Sequence, residues 1–226
     1  MHSVHALIAV KDLARAKSRL AGAFTPADRE RLVLAMLHDS LAAARQVEPI
    51  ASLTVVTPDS TVAQSAHEFG ADVYPEPPAD STDDAQRLND ALSHAAANLR
   101  ERLGAVDLLA LQADLPALRP SELTAAIEAA HEYSRSYIVD HHGTGTSALL
   151  LHDPTTALEP KFGAASALRH AETGAHPLAG DWPGLRLDVD TVEDLRLAAK
   201  LGLGVATREL LTELGWPDPD SRESSS

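Results

Sequence analysis

Leu108-Leu109-Ala110-Leu111-Gln112-Ala113-Asp114-Leu115-Pro116 is an apolar run of strand length that empties into a carboxylate and a turn. A run with no polar alternation reads as a strand buried on both faces, and such strands sit in the middle of parallel sheets covered by helices. A second run, Leu185-Arg186-Leu187-Asp188-Val189-Asp190-Thr191, also ends on acids. Carboxylates at the ends of buried strands are costly unless a cation or a hydrogen-bond donor faces them. Oxygen ligands in a chain with no cysteine suit a hard ion such as Mg²⁺. Each acid also has a plainer reading: Asp114 could cap its turn, and Asp190 could open a helix at Val192. Together, after two strands expected to be central, they point to the ligand-binding edge of an open α/β sheet.

Strands and helices alternate outward from these runs. Val4–Val10 is expected to be the first, central strand. Thr25-Pro26-Ala27-Asp28 reads as a helix start, with Thr25 as cap and Pro26 in the first turn. Leu32, Val33, Met36, Leu37 and Leu41 then share one helical face. Leu53–Thr57 and Asp72–Tyr74 read as strands flanking a short helix to Phe69. A Pro- and acid-rich loop from Pro75 to Asp84, with Glu76, Asp80, Asp83 and Asp84, precedes a helix over Ala85–Leu103. Further helices are expected from Pro120, near Ala164–Glu172, and at about Val192–Leu201 and Val205–Leu214. Ser136–Val139 and Thr146–Leu151 are joined by too short a link for a crossover helix, so an antiparallel pair or an excursion from the main sheet is expected. The expected fold is α/β and Rossmann-like: one domain over residues 1–216, its sheet mostly parallel and flanked by helices, with a small antiparallel excursion. Residues 217–226 are polar and read as a disordered tail.

The chain has 226 residues and a formal charge of −14, which argues against tracking nucleic acid. The start shows no basic leader before a long apolar run, and the apolar stretches are too short to span a membrane, so a cytoplasmic location is expected. Against the acidic background Lys11, Arg15, Lys17 and Arg19 fall within nine residues. A strand emptying into several cations can hold a triphosphate, because the cations and free backbone N–H groups offset its charge. The alternative is a surface helix over Ala14–Leu20 with solvated side chains. Gly143-Thr144-Gly145-Thr146-Ser147 lacks the spacing of a P-loop. The chain has 11 histidines, and the pair His141-His142 cannot chelate from adjacent extended positions; none is assigned to zinc.

The run Ala9-Val10-Lys11-Asp12-Leu13-Ala14-Arg15-Ala16-Lys17-Ser18-Arg19-Leu20 resembles the opening of the phosphoenolpyruvate/2-phospholactate guanylyltransferases of coenzyme F420 biosynthesis. Leu88-Asn89-Asp90-Ala91-Leu92, Gln112-Ala113-Asp114-Leu115-Pro116, Gly143-Thr144-Gly145-Thr146, Phe162-Gly163-Ala164-Ala165-Ser166 and Asp188-Val189-Asp190-Thr191 resemble that family's other blocks in order. One departure is Ala113, where related nucleotidyltransferases often carry Gly.

The resemblance implies a nucleotidyltransferase that moves GMP from GTP to phosphoenolpyruvate, giving enolpyruvoyl-diphospho-guanosine and pyrophosphate. It implies Lys11, Lys17 and Arg19 at the GTP phosphates, with Lys17 and Arg19 catalytic, and Asn89 near the nucleoside. It implies Asp114, Asp188 and Asp190 on Mg²⁺, and Thr146, Gly163 and Ser166 on the phosphorylated acid. Phosphoenolpyruvate is preferred over 2-phospholactate or 3-phosphoglycerate on a composition that looks bacterial. A nucleotide-sugar-dependent glycosyltransferase and a non-catalytic nucleotide-binding subunit are the competing readings. The apolar C-terminal helices suggest a homodimer.

Overall fold

The run Asp107–Leu111 is a strand buried along its whole length, and its alternating side chains divide the core in two. Leu109 and Leu111 enter one apolar cluster, Leu108 and Ala110 the other. Burial on both faces requires helices on both sides. The structure, a computed structural model, describes residues 3–11, 13, 17–76 and 83–216. Within them β1 (Val4–Ala9), β2 (Ile50–Thr57), β3 (Asp72–Pro75), β4 (Asp107–Leu111), β5 (Arg135–Val139), β6 (Thr146–Leu151) and β7 (His176–Pro177) form one sheet in the order β3-β2-β1-β4-β6-β5-β7. β1 to β4 are mutually parallel, β6 is antiparallel to both β4 and β5, and β7 is parallel to β5. One face carries α1 (Pro26–Arg45), α2 (Ser60–Phe69), α4 (Pro120–Ala130), α6 (Pro183–Arg186), α7 (Val192–Leu201) and α8 (Val205–Glu213). The other carries α3 (Asp84–Leu103) and α5 (Ser166–Glu172).

Local chemistry sets the helix starts. Thr25 accepts a hydrogen bond from the Asp28 N–H and Pro26 occupies the first turn, as the sequence suggests. Thr191 and Asp194 form a reciprocal capping box at the start of α7, fixing the backbone just after Asp190. The buried Asp39 of α1 accepts from the N–H groups of Ala206 and Thr207 and so caps α8. That contact docks α8 on α1 and buries Leu210 and Leu211. The contact covers part of the apolar surface of the C-terminal helices, while Leu197 and Val205 stay exposed.

The structure corrects one expectation. Leu185–Val189 is not a strand: Pro183–Arg186 is a short helix, and the residues after it are irregular. Leu185, Leu187 and Val189 are buried alternately, which gave the strand-like pattern. β4 and β5 already flank β6, so the segment instead crosses the end of the sheet. There the Val189 N–H donates to the Asp114 carbonyl at 3.0 Å, and the Arg186 carbonyl accepts from His141 N–H at 2.7 Å. β5 and β6 are the expected antiparallel pair, placed inside the main sheet, and the two-residue β7, with a proline, gave no sequence signal. The surface-helix alternative fails at Ser18–Leu20, which form one 3₁₀ turn. Arg15, Asp80 and the tail over 217–226 lie outside the described residues. Among the described residues no helix is long and apolar enough to cross a membrane.

Candidate active site

The chain leaves β1, β2, β3 and β4 at one edge of the sheet, and a cavity of about 760 Å³ opens there. Lys11 follows β1, Asp59 follows β2, Glu76 follows β3 and Asp114 follows β4, and all four line it. Lys17, Asp84, Arg87, Gly163 and Asp190 also line it. β3 and β4 stand three strand spacings apart, on the order of 14 Å, so the cavity runs from an acidic end at Asp114 to a far end at Glu76.

Lys17 organises the acidic end. Its backbone is left-handed, with φ 51° and ψ 44°, a conformation that costs a non-glycine residue on the order of 1 kcal/mol. The turn directs its ammonium between two carboxylates: it donates to Asp114 Oδ2, and to Asp190 Oδ1 at 2.7 Å. The side chain is only 11% exposed. Burial alone would pull this ammonium down; the charges of Asp114 and Asp190 and their hydrogen bonds outweigh it and raise its pKa above the ordinary lysine value. Burial pushes Asp190 up, but Lys17, and then the charge of Arg19, bring it below the usual carboxylate range. Arg19 itself is exposed and does not line the cavity.

The backbone around the acids is tied in place. Buried Ser40 of α1 donates to the Ala113 carbonyl at 3.1 Å and accepts from the Leu115 N–H at 3.2 Å, clamping the turn that carries Asp114. Asp194 Oδ2 accepts from the Asp190 and Thr191 N–H groups. Asp188 stands beside both acids, its pKa pushed up to about 7 by burial first and then by the charges of Asp114, Asp190 and Asp140. Asp114 Oδ1 and Asp188 Oδ1 are buried with no hydrogen-bond partner among the described residues. Two orphaned carboxylate oxygens in a cluster with excess negative charge fit a hard divalent cation. Against the expectation that neighbouring His141 and His142 cannot chelate, they lie in a turn rather than an extended segment, with Nε2 atoms 3.0 and 3.5 Å from Asp194 Oδ1, so these three could also hold a metal; His141 Nδ1 is 3.6 Å from Asp188 Oδ1.

The residues expected to hold the phosphorylated acid divide. Gly163 lines the cavity at φ +113°, and a Cβ there would lie 2.9 Å from the Ala85 Cβ and 3.0 Å from Arg169 Nη2. Only glycine meets both the torsion and the close approach. Thr146 and Ser166 are buried behind that wall and do not line the cavity. Thr146 Oγ1 lies 3.0 Å from His170 Nδ1, while the Ser166 N–H donates to the Gly163 carbonyl at 3.1 Å. Asn89 is also buried: it donates to the Phe162 carbonyl at 3.1 Å and accepts from the Phe162 N–H at 2.8 Å. Its amide therefore holds the strand of backbone that presents Gly163. Glu76, Arg87 and Gln112 line the cavity and were not singled out as ligand-binding residues. Only the acid-rich stretch that contains Glu76 hinted at any of them.

Residues 4–226 match the family model described as "Guanylyl transferase CofC like". The chain is 56% identical over 215 residues to the phosphoenolpyruvate guanylyltransferase of Nocardia farcinica (strain IFM 10152), an alignment covering 95% of this chain and 93% of that protein. A crystal structure from Desulfovibrio desulfuricans G20, described as a candidate nucleotide-diphospho-sugar transferase, superposes with a TM-score of 0.71 at 16% identity, covering 95% of this chain and 96% of the other. A nucleotidyl transferase from Methanothermobacter thermautotroptrophicus superposes with a TM-score of 0.62 at 18% identity over 88% and 97% of the two chains. At such identities the two structures speak to the fold alone.

Proposed function

The chain belongs to the CofC-like guanylyl transferase family, and from that premise we propose that it transfers GMP from GTP to phosphoenolpyruvate. A phosphate oxygen of phosphoenolpyruvate attacks the α-phosphorus of GTP, the bond from that phosphorus to the β-phosphate bridging oxygen breaks, and pyrophosphate leaves. The product is enolpyruvoyl-diphospho-guanosine, an intermediate on the way to coenzyme F420. The observation that carries this reading is the cation between two acids: Lys17 held by Asp114 and Asp190 at the acidic end of a nucleotide-sized cavity.

A phosphate dianion is already an adequate nucleophile, so no general base or covalent intermediate is needed. The work of the protein is positioning and charge neutralisation. Lys11 and Lys17 line the cavity and offset the charge of the triphosphate. Arg19, on the exposed flank near Asp190, stabilises the departing pyrophosphate. The Gly163 backbone, held by Phe162 and Asn89, forms the acceptor side, with Thr146 and Ser166 supporting it from behind. Asn89, buried and outside the cavity lining, acts through this wall rather than on the nucleoside. Asp114, Asp188 and Asp190 would hold a divalent ion, Mg²⁺ by the hardness of an all-oxygen donor set. When bound, it would supply charge neutralisation at the α-phosphoryl group.

The test is an acceptor panel. Purified protein, GTP and Mg²⁺ are incubated with phosphoenolpyruvate, 2-phospholactate or 3-phosphoglycerate, and products are identified by mass. The expected result is pyrophosphate and the GMP adduct of phosphoenolpyruvate as the fastest reaction. A faster reaction with another acid replaces the acceptor, and no adduct with any of them defeats the reading. A cytoplasmic site of action follows from the soluble, phosphorylated substrates.

A further inference from the structure

The far end of the cavity holds a carboxylate that the chemistry above does not use. Glu76 stands just beyond β3, its side chain 9% exposed, and its N–H donates to the Thr57 carbonyl at the end of β2. Arg87 of α3 grips a single oxygen, donating to Oε1 from Nε at 3.2 Å and from Nη2 at 3.0 Å. Oε2 makes no hydrogen bond among the described residues, although the residue lines the cavity. The other acids at this end are engaged. Asp59 accepts from Thr61 and Val62 N–H on one oxygen and from Leu13 N–H on the other, and Asp84 has an interaction of its own.

A carboxylate held this way presents one open acceptor oxygen, Oε2, at a fixed position in a cavity wall that also includes the apolar Leu88. Among the four common bases only guanine offers two adjacent donors on one edge, N1–H and the 2-amino group. Adenine places a lone pair at N1, and cytosine one at N3, where a carboxylate repels them. Uracil has a single N–H between two carbonyls. Three strand spacings separate Glu76 from Asp114, room for a ribose and an α-phosphate between them. Resting on the guanylyl-transfer reading, we propose that Glu76 selects the guanine base. Its open Oε2 accepts from N1–H and the 2-amino group, while Arg87 holds Oε1 and so positions it.

Binding and turnover separate this inference from the reading beneath it. Calorimetry in Mg²⁺, without acceptor, compares GTP, ITP (which lacks the 2-amino group) and ATP. Wild type is expected to bind GTP about 10-fold or more tighter than ITP, the size of one charge-assisted hydrogen bond. ATP should be weaker than GTP by roughly 10³-fold or more. Glu76→Gln keeps the shape but, with its amide oxygen toward Arg87, turns an NH2 donor to the guanine donors, so GTP should weaken about 10²-fold and the GTP/ITP ratio should fall close to one. Arg87→Gln removes the same ion pair yet leaves the carboxylate, so it should lower affinity while keeping the ratio. A merely structural ion pair predicts equal effects of the two changes on that ratio. Equal binding of GTP and ITP by wild type, or an unchanged ratio in Glu76→Gln, overturns the assignment. Selective GTP binding without phosphoenolpyruvate-dependent pyrophosphate release supports Glu76 and defeats the proposed reaction instead.

Discussion

At the scale of single residues the site is a balance of charge. Lys17 neutralises Asp114 and Asp190, whereas Asp188 keeps an orphaned oxygen and a pKa raised to about 7. Asp190→Asn keeps the volume and removes a charge, and is expected to lower kcat about 10²-fold or more with little change in Tm. Steady-state rates over a Mg²⁺ series check this, and near-normal turnover at limiting Mg²⁺ would remove Asp190 from the metal seat. Lys17→Met should cost more than activity, because it leaves two carboxylates facing each other. A loss of about 1–3 kcal/mol in chelator is expected, largely recovered on adding Mg²⁺. Thermal melts with and without the ion read this directly. These charges were legible because each follows an apolar run in the sequence. Glu76 was not, since an acid in an acid-rich loop looks like a solvated one until Arg87 is found against it.

At the scale of elements, β1, β4, α1 and α3 were readable from period and caps, and their ends set the cavity. The segment before Asp188 misled, because alternating burial does not say whether a sheet partner is available. Here the partner is the Asp114 turn, reached through the Val189 N–H. The Phe162–Gly163 wall depends on α3 at two points, Asn89 and the close approach of Ala85 to Gly163. Gly163→Ala should therefore move that wall. KM for the phosphorylated acid is expected to rise by about tenfold or more while KM for GTP changes little, with about 1–2 kcal/mol lost in stability for the torsion. Initial rates with each substrate varied in turn measure the split, and equal effects on both KM values would detach Gly163 from the acceptor.

Across the whole molecule, the buried His170 links the Phe162–Gly163 wall to acid stability. Burial, then the charges of Arg169 and Arg135, lower its pKa from 6.5 to about 4. Its Nε2 accepts from the Lys161 N–H at 2.9 Å, so protonation there would break a bond the fold uses. The unfolded chain takes up this proton below pH 6.5 and the folded chain does not until about pH 4, so stability falls as pH drops through that window. The loss due to this group is on the order of 2 kcal/mol by pH 5. Urea midpoints from pH 7.5 to 4.5 should show it, and His170→Asn should flatten the slope. The wider account rests on one event, attack by the acceptor's phosphate at the α-phosphorus of GTP. Phosphoenolpyruvate carrying ¹⁸O in its phosphate, incubated with GTP, Mg²⁺ and the protein, tests it by mass spectrometry. All the label is expected in the GMP adduct, with unlabelled pyrophosphate released; label in pyrophosphate, or GDP in its place, would contradict it.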